Sequence, residues 1–354
     1  MQICMGSGIA VETGKPFAKL MSISSMCGDE RELLPTVGQR IWDWPMESKG
    51  KTEMERAEKS VSGEQRFTLE NLSPEEMEWH FNPRVTVPDR DGYMDARKAA
   101  NERTLNELSR TPDLRYGPNA HETLDIYPAA TSNAPVMVYI HGGYWRAGYK
   151  EDWAFVAEPL VSMGATAIVL NYDLCPSVTL DELVAETRRA LIWLYRNVVD
   201  HGGNPEQIFI SGSSAGAHLC AMMLGHDWMQ DDLPANLVKG AVLITGIYDV
   251  RPVLDISVNA DIRLDADAAR RNSPMFLPPR HGGQILAAVG GNEAEGWKQQ
   301  TRDYVSMCQA GGLECDFLEL PGEDHFSLGT VLADSACPLV TTMLNQMGLG
   351  EAVG

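Results

Sequence analysis

Residues 207–219 read Gln207-Ile208-Phe209-Ile210-Ser211-Gly212-Ser213-Ser214-Ala215-Gly216-Ala217-His218-Leu219. A short apolar run with strand-forming residues leads, through Gly-x-Ser-x-Gly, into small residues suited to a helix. The turn between them must be tight. Ser214 at its apex is expected in a strained backbone conformation, which crowding permits only where glycines flank it. Such a turn lifts the hydroxyl clear of the sheet, and the helix N-terminus behind it offers free N–H groups and a positive dipole end. The pentapeptide alone says little in a chain with 32 glycines. With a strand before it and a helix after it, it demands a layered α/β fold.

Composition narrows the setting. At 354 residues the chain can hold one large domain plus extras, and 44% hydrophobic residues is ordinary for a globular protein. No run of about 18 apolar residues suggests a membrane span. Met1 to Gly8 lacks the basic start and apolar core of a signal peptide, so a cytoplasmic location is expected. Seven cysteines, at 4, 27, 175, 220, 308, 315 and 337, show neither disulfide nor zinc spacing and read as reduced thiols. A formal charge of −20 disfavours nucleic acid or an anionic membrane as a partner. A small-molecule substrate is the partner expected, and a homodimer is left open.

Residues 1–70 have poor hydrophobic periodicity and a charged run from Glu47 to Glu64, and are expected to be a poorly ordered extension. A domain over 71–349 follows, opening with helices at about 73–108. Ser73 and Glu76 form a capping box for the first, at Pro74–Phe81, and Asp91–Leu108 gives the second. Strands are expected at Thr123–Tyr127, Val136–His141, Thr166–Tyr172, Gln207–Ser211, Gly240–Ile247, Gln284–Val289 and Cys315–Leu320. Between them, Leu180–Val198 is the clearest helix, with Thr179 and Glu182 as its capping box. Apolar strands alternating with helices imply a mostly parallel sheet covered on both faces. Together with the Ser214 turn this pattern resembles the α/β-hydrolase fold, with a small or absent cap. The irregular stretch Asp249–Arg280 is the only cap candidate.

A serine hydroxyl needs a base, and the base an orienting acid. In this fold they follow the serine in the order acid, then histidine. Among eight histidines, His325 in Leu320-Pro321-Gly322-Glu323-Asp324-His325-Phe326 follows the last expected strand and is the candidate base. His218 reads as a packing residue, while His121, His201 and His281 lie at the wrong edge of the sheet. The loop Gly290-Gly291-Asn292-Glu293-Ala294-Glu295 carries no Asp, so Glu293 is the candidate acid, with Glu295 and Asp249 as alternatives. His141-Gly142-Gly143-Tyr144-Trp145, at the end of a strand, supplies two glycines whose N–H groups, with that of Ala215, would form an oxyanion hole. His141 is expected to pin this loop. Tyr144, Trp145 and Trp153 are expected at the mouth of the substrate pocket.

His141-Gly142-Gly143-Tyr144-Trp145 resembles the corresponding loop of kynurenine formamidases (arylformamidases), near the hormone-sensitive-lipase-like esterases. Phe81-Asn82-Pro83-Arg84 with Val87-Pro88-Asp89 is similar to the N-terminal segment of bacterial members. Gly290–Glu293 and Gly322–Phe326 resemble the family's acid and histidine loops, and the likeness spans about residues 72–346. The expected activity is hydrolysis of small esters with short acyl groups through an acyl-serine, without metal or organic cofactor. The resemblance implies, as the alternative, an arylformamidase acting on N-formylkynurenine or a related aryl amide. A catalytically silent ligand-binding member of the fold is the remaining reading.

Overall fold

The computed structural model describes residues 67–350 except 70, 281 and 282. The extension expected over residues 1–70 falls outside the described residues but for 67–69, as does His281. Helix α1 (Pro74–Phe81) begins as expected: Ser73 Oγ accepts from the Glu76 N–H, and the Glu76 carboxylate accepts from the Ser73 N–H at 2.7 Å. Pro74 sits in the first turn, where its missing N–H costs nothing. Helix α2 (Asp91–Glu107) follows.

Eight strands make one sheet in the order β1-β2-β4-β3-β5-β6-β7-β8. They are β1 (Thr111–Arg115), β2 (Thr123–Tyr127), β3 (Ala134–Ile140), β4 (Thr166–Leu170), β5 (Gly203–Ser213), β6 (Val238–Ile244), β7 (Ile285–Gly290) and β8 (Cys315–Leu320). The β1–β2 and β2–β4 pairs are antiparallel and the remainder parallel. Strand β1 has no counterpart among the expected strands. It is an edge strand with mostly exposed side chains, it contains Pro112, and Asp113 (φ 55°) breaks its register, so neither alternation nor an apolar run marks it.

Both faces of the sheet are covered. On β3, Val136, Val138 and Ile140 join one apolar cluster while Met137 and Tyr139 join the other, the period-two alternation of a strand buried on both sides. The first cluster takes in Leu183, Leu191 and Leu194 of α4 (Leu180–Asn197) and Leu219 of α5 (Ala215–Gly225). The second takes in Leu160 of α3 (Ala157–Ser162) and Leu339, Val340 and Met343 of α7 (Pro338–Gln346). Helix α6 (Glu295–Ala310) packs beside β7 and β8.

The cap of α4 is only half the box expected. Thr179 Oγ1 accepts from the Glu182 N–H, but the Glu182 carboxylate accepts from Arg189 at 2.6 Å instead of returning to the cap. A guanidinium two turns along the same face outcompetes a backbone amide for the carboxylate. The segment 249–280 folds into short helical turns, at Arg251–Asp255, Asn259–Ile262, Ala266–Arg271 and Pro274–Phe276. No single described helix is long and apolar enough to cross a membrane.

Candidate active site

Ser214 stands between β5 and α5 with φ 56° and ψ −117°, the strained turn expected. Close approach makes glycine necessary around it. A Cβ on Gly216 would lie 2.0 Å from the carbonyl oxygen of Ile140 at the end of β3. A Cβ on Gly142 would lie 2.7 Å from the Ser213 carbonyl. The serine turn and the loop after β3 therefore touch backbone to backbone.

From Ser214 a line of hydrogen bonds runs inward. His325 Nε2 is 3.0 Å from Ser214 Oγ, and His325 Nδ1 is 2.7 Å from Glu293 Oε2. The Glu293 side chain is about 1% exposed, yet both its oxygens are satisfied. Oε1 accepts from the Gly290 N–H at 2.8 Å, and Oε2 accepts from the Thr245 hydroxyl at 2.6 Å. Thr245 Oγ1 also lies 3.0 Å from His325 Nδ1, so the imidazole N–H faces carboxylate and hydroxyl together. The alternatives for the acid are engaged elsewhere. Asp249 holds the Arg251 guanidinium at 2.6–3.1 Å, and Glu295 pairs with Arg302.

Thr245 is the member of this network that the sequence did not disclose. It follows β6 with φ 47°, and its only signal is a hydroxyl at the C-terminal end of the strand beside β7. Ser214, Thr245, Glu293, His325 and the Gly142-Gly143 pair all follow the C-terminal ends of parallel strands, the edge where α/β sheets gather ligands. Among the described residues no protein acceptor takes the N–H of Gly142 or Gly143, and that of Ala215 heads a helix without an intrahelical partner. His141 is buried, stacks on Tyr172 at 4.2 Å and bonds through Nδ1–H to the Gly142 carbonyl at 2.8 Å. Tyr172 donates in turn to the His141 carbonyl at 2.8 Å, so the loop is pinned as expected of this histidine.

A cavity of about 500 Å³ opens over Ser214 and His325. Gly142, Gly143, Tyr144 and Trp153 line it, and Trp145 does not. The pocket role expected of Trp145 is therefore corrected: its ring is fully buried and its indole N–H donates to His218 Nδ1 at 3.1 Å. Tyr144 and Trp145 both have left-handed backbone (φ 53° and 56°), so their side chains leave the loop in different directions, a turn the sequence does not announce. The roof is also not the one expected. Asn82, Pro83, Arg84, Met94, Arg97 and Leu105, from the segment around α1 and α2, line the cavity, and no residue of 249–280 does. Among the described residues no three His, Cys, Asp or Glu side chains converge as metal ligands.

An eight-stranded, mostly parallel sheet with this turn, acid and histidine at its C-terminal edge defines an α/β-hydrolase. Comparison with known proteins agrees. A family model described as BD-FAE matches residues 124–274. Kynurenine formamidase from Salmo salar is 32% identical over 292 residues, covering 78% of this chain and 98% of that protein. Esterase LipQ from Mycobacterium tuberculosis is 35% identical over 120 residues, 32% of this chain and 28% of that one. A crystal structure from Silicibacter sp. TM1040 superposes with a TM-score of 0.65 at 27% identity, over 73% of this chain and 95% of that one. The chain belongs to the kynurenine formamidase family of α/β-hydrolases. It is a hydrolase.

Two expectations follow from the buried aromatic and imidazole rings. Trp145→Ala should cost about 3–5 kcal/mol of stability through the cavity it leaves, read as a lower denaturant midpoint; an unchanged midpoint would contradict the burial. The second concerns His218, which is buried between the Trp145 indole and the Asn272 carbonyl, 2.7 Å from Nε2. Burial lowers its pKa to about 4, whereas an unfolded histidine titrates near 6.5. The unfolded chain then binds the extra proton, so this contribution is complete above about pH 6.5 and is lost as pH falls toward 4. Glu186 acts in the opposite sense, because burial raises its carboxyl to about 7. Comparing parent with variant removes that common term. His218→Gln should shrink the loss of unfolding free energy between pH 7.5 and 5; an equal loss in both proteins would refute the assignment.

Proposed function

We propose that this protein is a serine hydrolase that removes a small acyl group, formyl foremost, from an aryl amide through an acyl-Ser214 intermediate. The observation that carries this reading is the unbroken line from Ser214 Oγ through His325 to Glu293, opening into the cavity. In the proposed sequence Ser214 Oγ attacks the acyl carbon as its proton passes to His325 Nε2. The oxyanion forms beside the N–H groups of Gly142, Gly143 and Ala215, each such donor being worth about 3–4 kcal/mol in the transition state. The imidazolium, its Nδ1–H held by Glu293 and Thr245, returns the proton to the departing amine nitrogen. Water then repeats the two steps on the acyl-serine. The formamide is preferred over an ester because kynurenine formamidase from Salmo salar is covered over 98% of its length, whereas the esterase LipQ likeness covers 28% of that protein. A short-chain ester would use the same groups and is the second reading. The intact hydrogen-bonded line argues against a silent ligand-binding member.

Two experiments test this. Ser214→Ala should abolish turnover and labelling by a fluorophosphonate probe, and Glu293→Gln should lower kcat by a factor of about 10³–10⁴, while Asp249→Asn leaves kcat near the parent's. A larger loss for Asp249→Asn would move the acid to the loop after β6. In the second, kcat/KM should be higher for N-formylkynurenine than for p-nitrophenyl acetate, butyrate or octanoate. Efficient hydrolysis of the esters with no turnover of the formamide would transfer the assignment to esters and leave the acyl-serine chemistry standing.

A further inference from the structure

Two cationic side chains are buried among the described residues, Lys150 at 3% exposure and Arg97 at 8%. They are treated very differently. Lys150 Nζ has three carboxylates within hydrogen-bond reach, those of Asp113 and Asp125 at 2.9 Å and of Glu151 at 2.5 Å. Arg97 has none: it makes no ion pair among the described residues. Its Nη2 reaches only the Met94 thioether, a weak acceptor, and its Nε finds no acceptor at all. The guanidinium lies over the Trp153 ring, 4.7 Å from the ring centroid. That stacking offsets part of the cost of burying a cation but satisfies no N–H group. Asp152 is the acid whose charge it feels most directly, yet Asp152 is exposed and accepts from the Tyr149 N–H at 3.1 Å.

Both Arg97 and Trp153 line the cavity that holds Ser214 and His325. A planar fork of donors, desolvated, stacked on an aromatic ring and lacking an acceptor, matches a planar carboxylate. We propose that Arg97 is the recognition site for a carboxylate on the substrate, so that this hydrolase selects acyl compounds whose far end bears a carboxylate. The inference rests on the cavity being the substrate site. The rest of the wall carries both signs, Asp95, Glu102, Glu151 and Asp152 beside Arg84, Lys98 and Arg146, and of its guanidinium groups Arg97 is the one that is buried. The Trp153 ring holds the guanidinium carbon 4.7 Å above its centroid, which fixes where in the cavity wall the arm would be bound relative to Ser214.

The test is binding, measured separately from turnover. Isothermal titration of the full chain with 3-phenylpropanoate and with its near-isostere 3-phenylpropanamide compares the carboxylate with a neutral group of the same shape. The parent should bind the acid at least about tenfold more tightly, as a charge-assisted pair in a desolvated site requires. Arg97→Gln should erase that preference, and Arg97→Lys, which keeps the charge without the planar fork, should keep part of it. Melting temperatures of both variants report whether they are folded; where Arg97→Gln does not fold, Arg97→Lys carries the comparison, and an undiminished acid preference there overturns the assignment. Equal affinities in the parent, no binding of either compound, or an acid preference that survives in Arg97→Gln would each overturn the proposal. Hydrolysis assayed on the same parent sample keeps the two ideas apart: acid preference without turnover would sink the acyl-serine reading and leave Arg97 in its role.

Discussion

Backbone contact between the end of β3 and the start of α5 is the constraint on which the site depends. Gly216 presses against the Ile140 carbonyl and Gly142 against that of Ser213 so closely that no side chain fits at either position. The strand pairing sets this up, because β3 and β5 are parallel neighbours in register from Val136–Ile208 to Ile140–Gly212. Any residue leaving β3 at its C-terminal end must pass the Ser214 turn. The loop therefore carries its free N–H groups past the hydroxyl whatever else it does, and the strain at Ser214 persists because packing on both sides overdetermines it. The geometry of the candidate site is a consequence of sheet register, not of side-chain placement alone.

The acid shows how a longer side chain is held in such a frame. A carboxylate about 1% exposed is costly unless its lone pairs are filled. Glu293 fills one oxygen from its own loop, through the Gly290 N–H, and the other from across the sheet edge, through Thr245 and His325. The extra methylene of Glu, compared with Asp, adds a torsion that must be fixed. The Thr245 hydroxyl supplies the fixing contact, because it bridges Glu293 Oε2 and His325 Nδ1 from a third strand. Thr245 can reach both because its own N–H bonds to Ala288 of β7 at 2.7 Å, which locks the left-handed turn at the end of β6.

Legibility in the sequence followed the physics of each feature. Ser214, His325 and Glu293, which the structure brings into one hydrogen-bonded line, are legible as candidates because each follows an expected strand and an acyl-serine chemistry would need them in that chain order. The buried strands were visible in their apolar runs, and α1 in its capping box. Thr245 was not visible, since one hydroxyl 80 residues from the histidine it touches leaves no local pattern. The inward turn of Trp145 is not legible because two successive left-handed residues decide where the ring goes, and nothing in Tyr-Trp announces them. Strand β1 escaped notice because an exposed edge strand buries too little to need alternation.

The roof follows the same logic at longer range. An insertion within the sheet is the obvious place to look for a cap, but α1 and α2 reach the site from before the first strand. They are tied down at the loops that matter. Tyr144, on the loop after β3, donates to the Phe81 carbonyl at the end of α1 at 2.8 Å. Tyr93 of α2 donates to Asp324, next to His325, at 3.0 Å. One segment thus braces the oxyanion loop at one end and the histidine loop at the other, and lays Arg97 over Trp153 between them. Enclosing the cavity and fixing the geometry beneath it are then a single structural task. A roof built this way is tied directly to the two loops beneath it, so the segment that lines the cavity also anchors the loops that carry His325 and the two glycines.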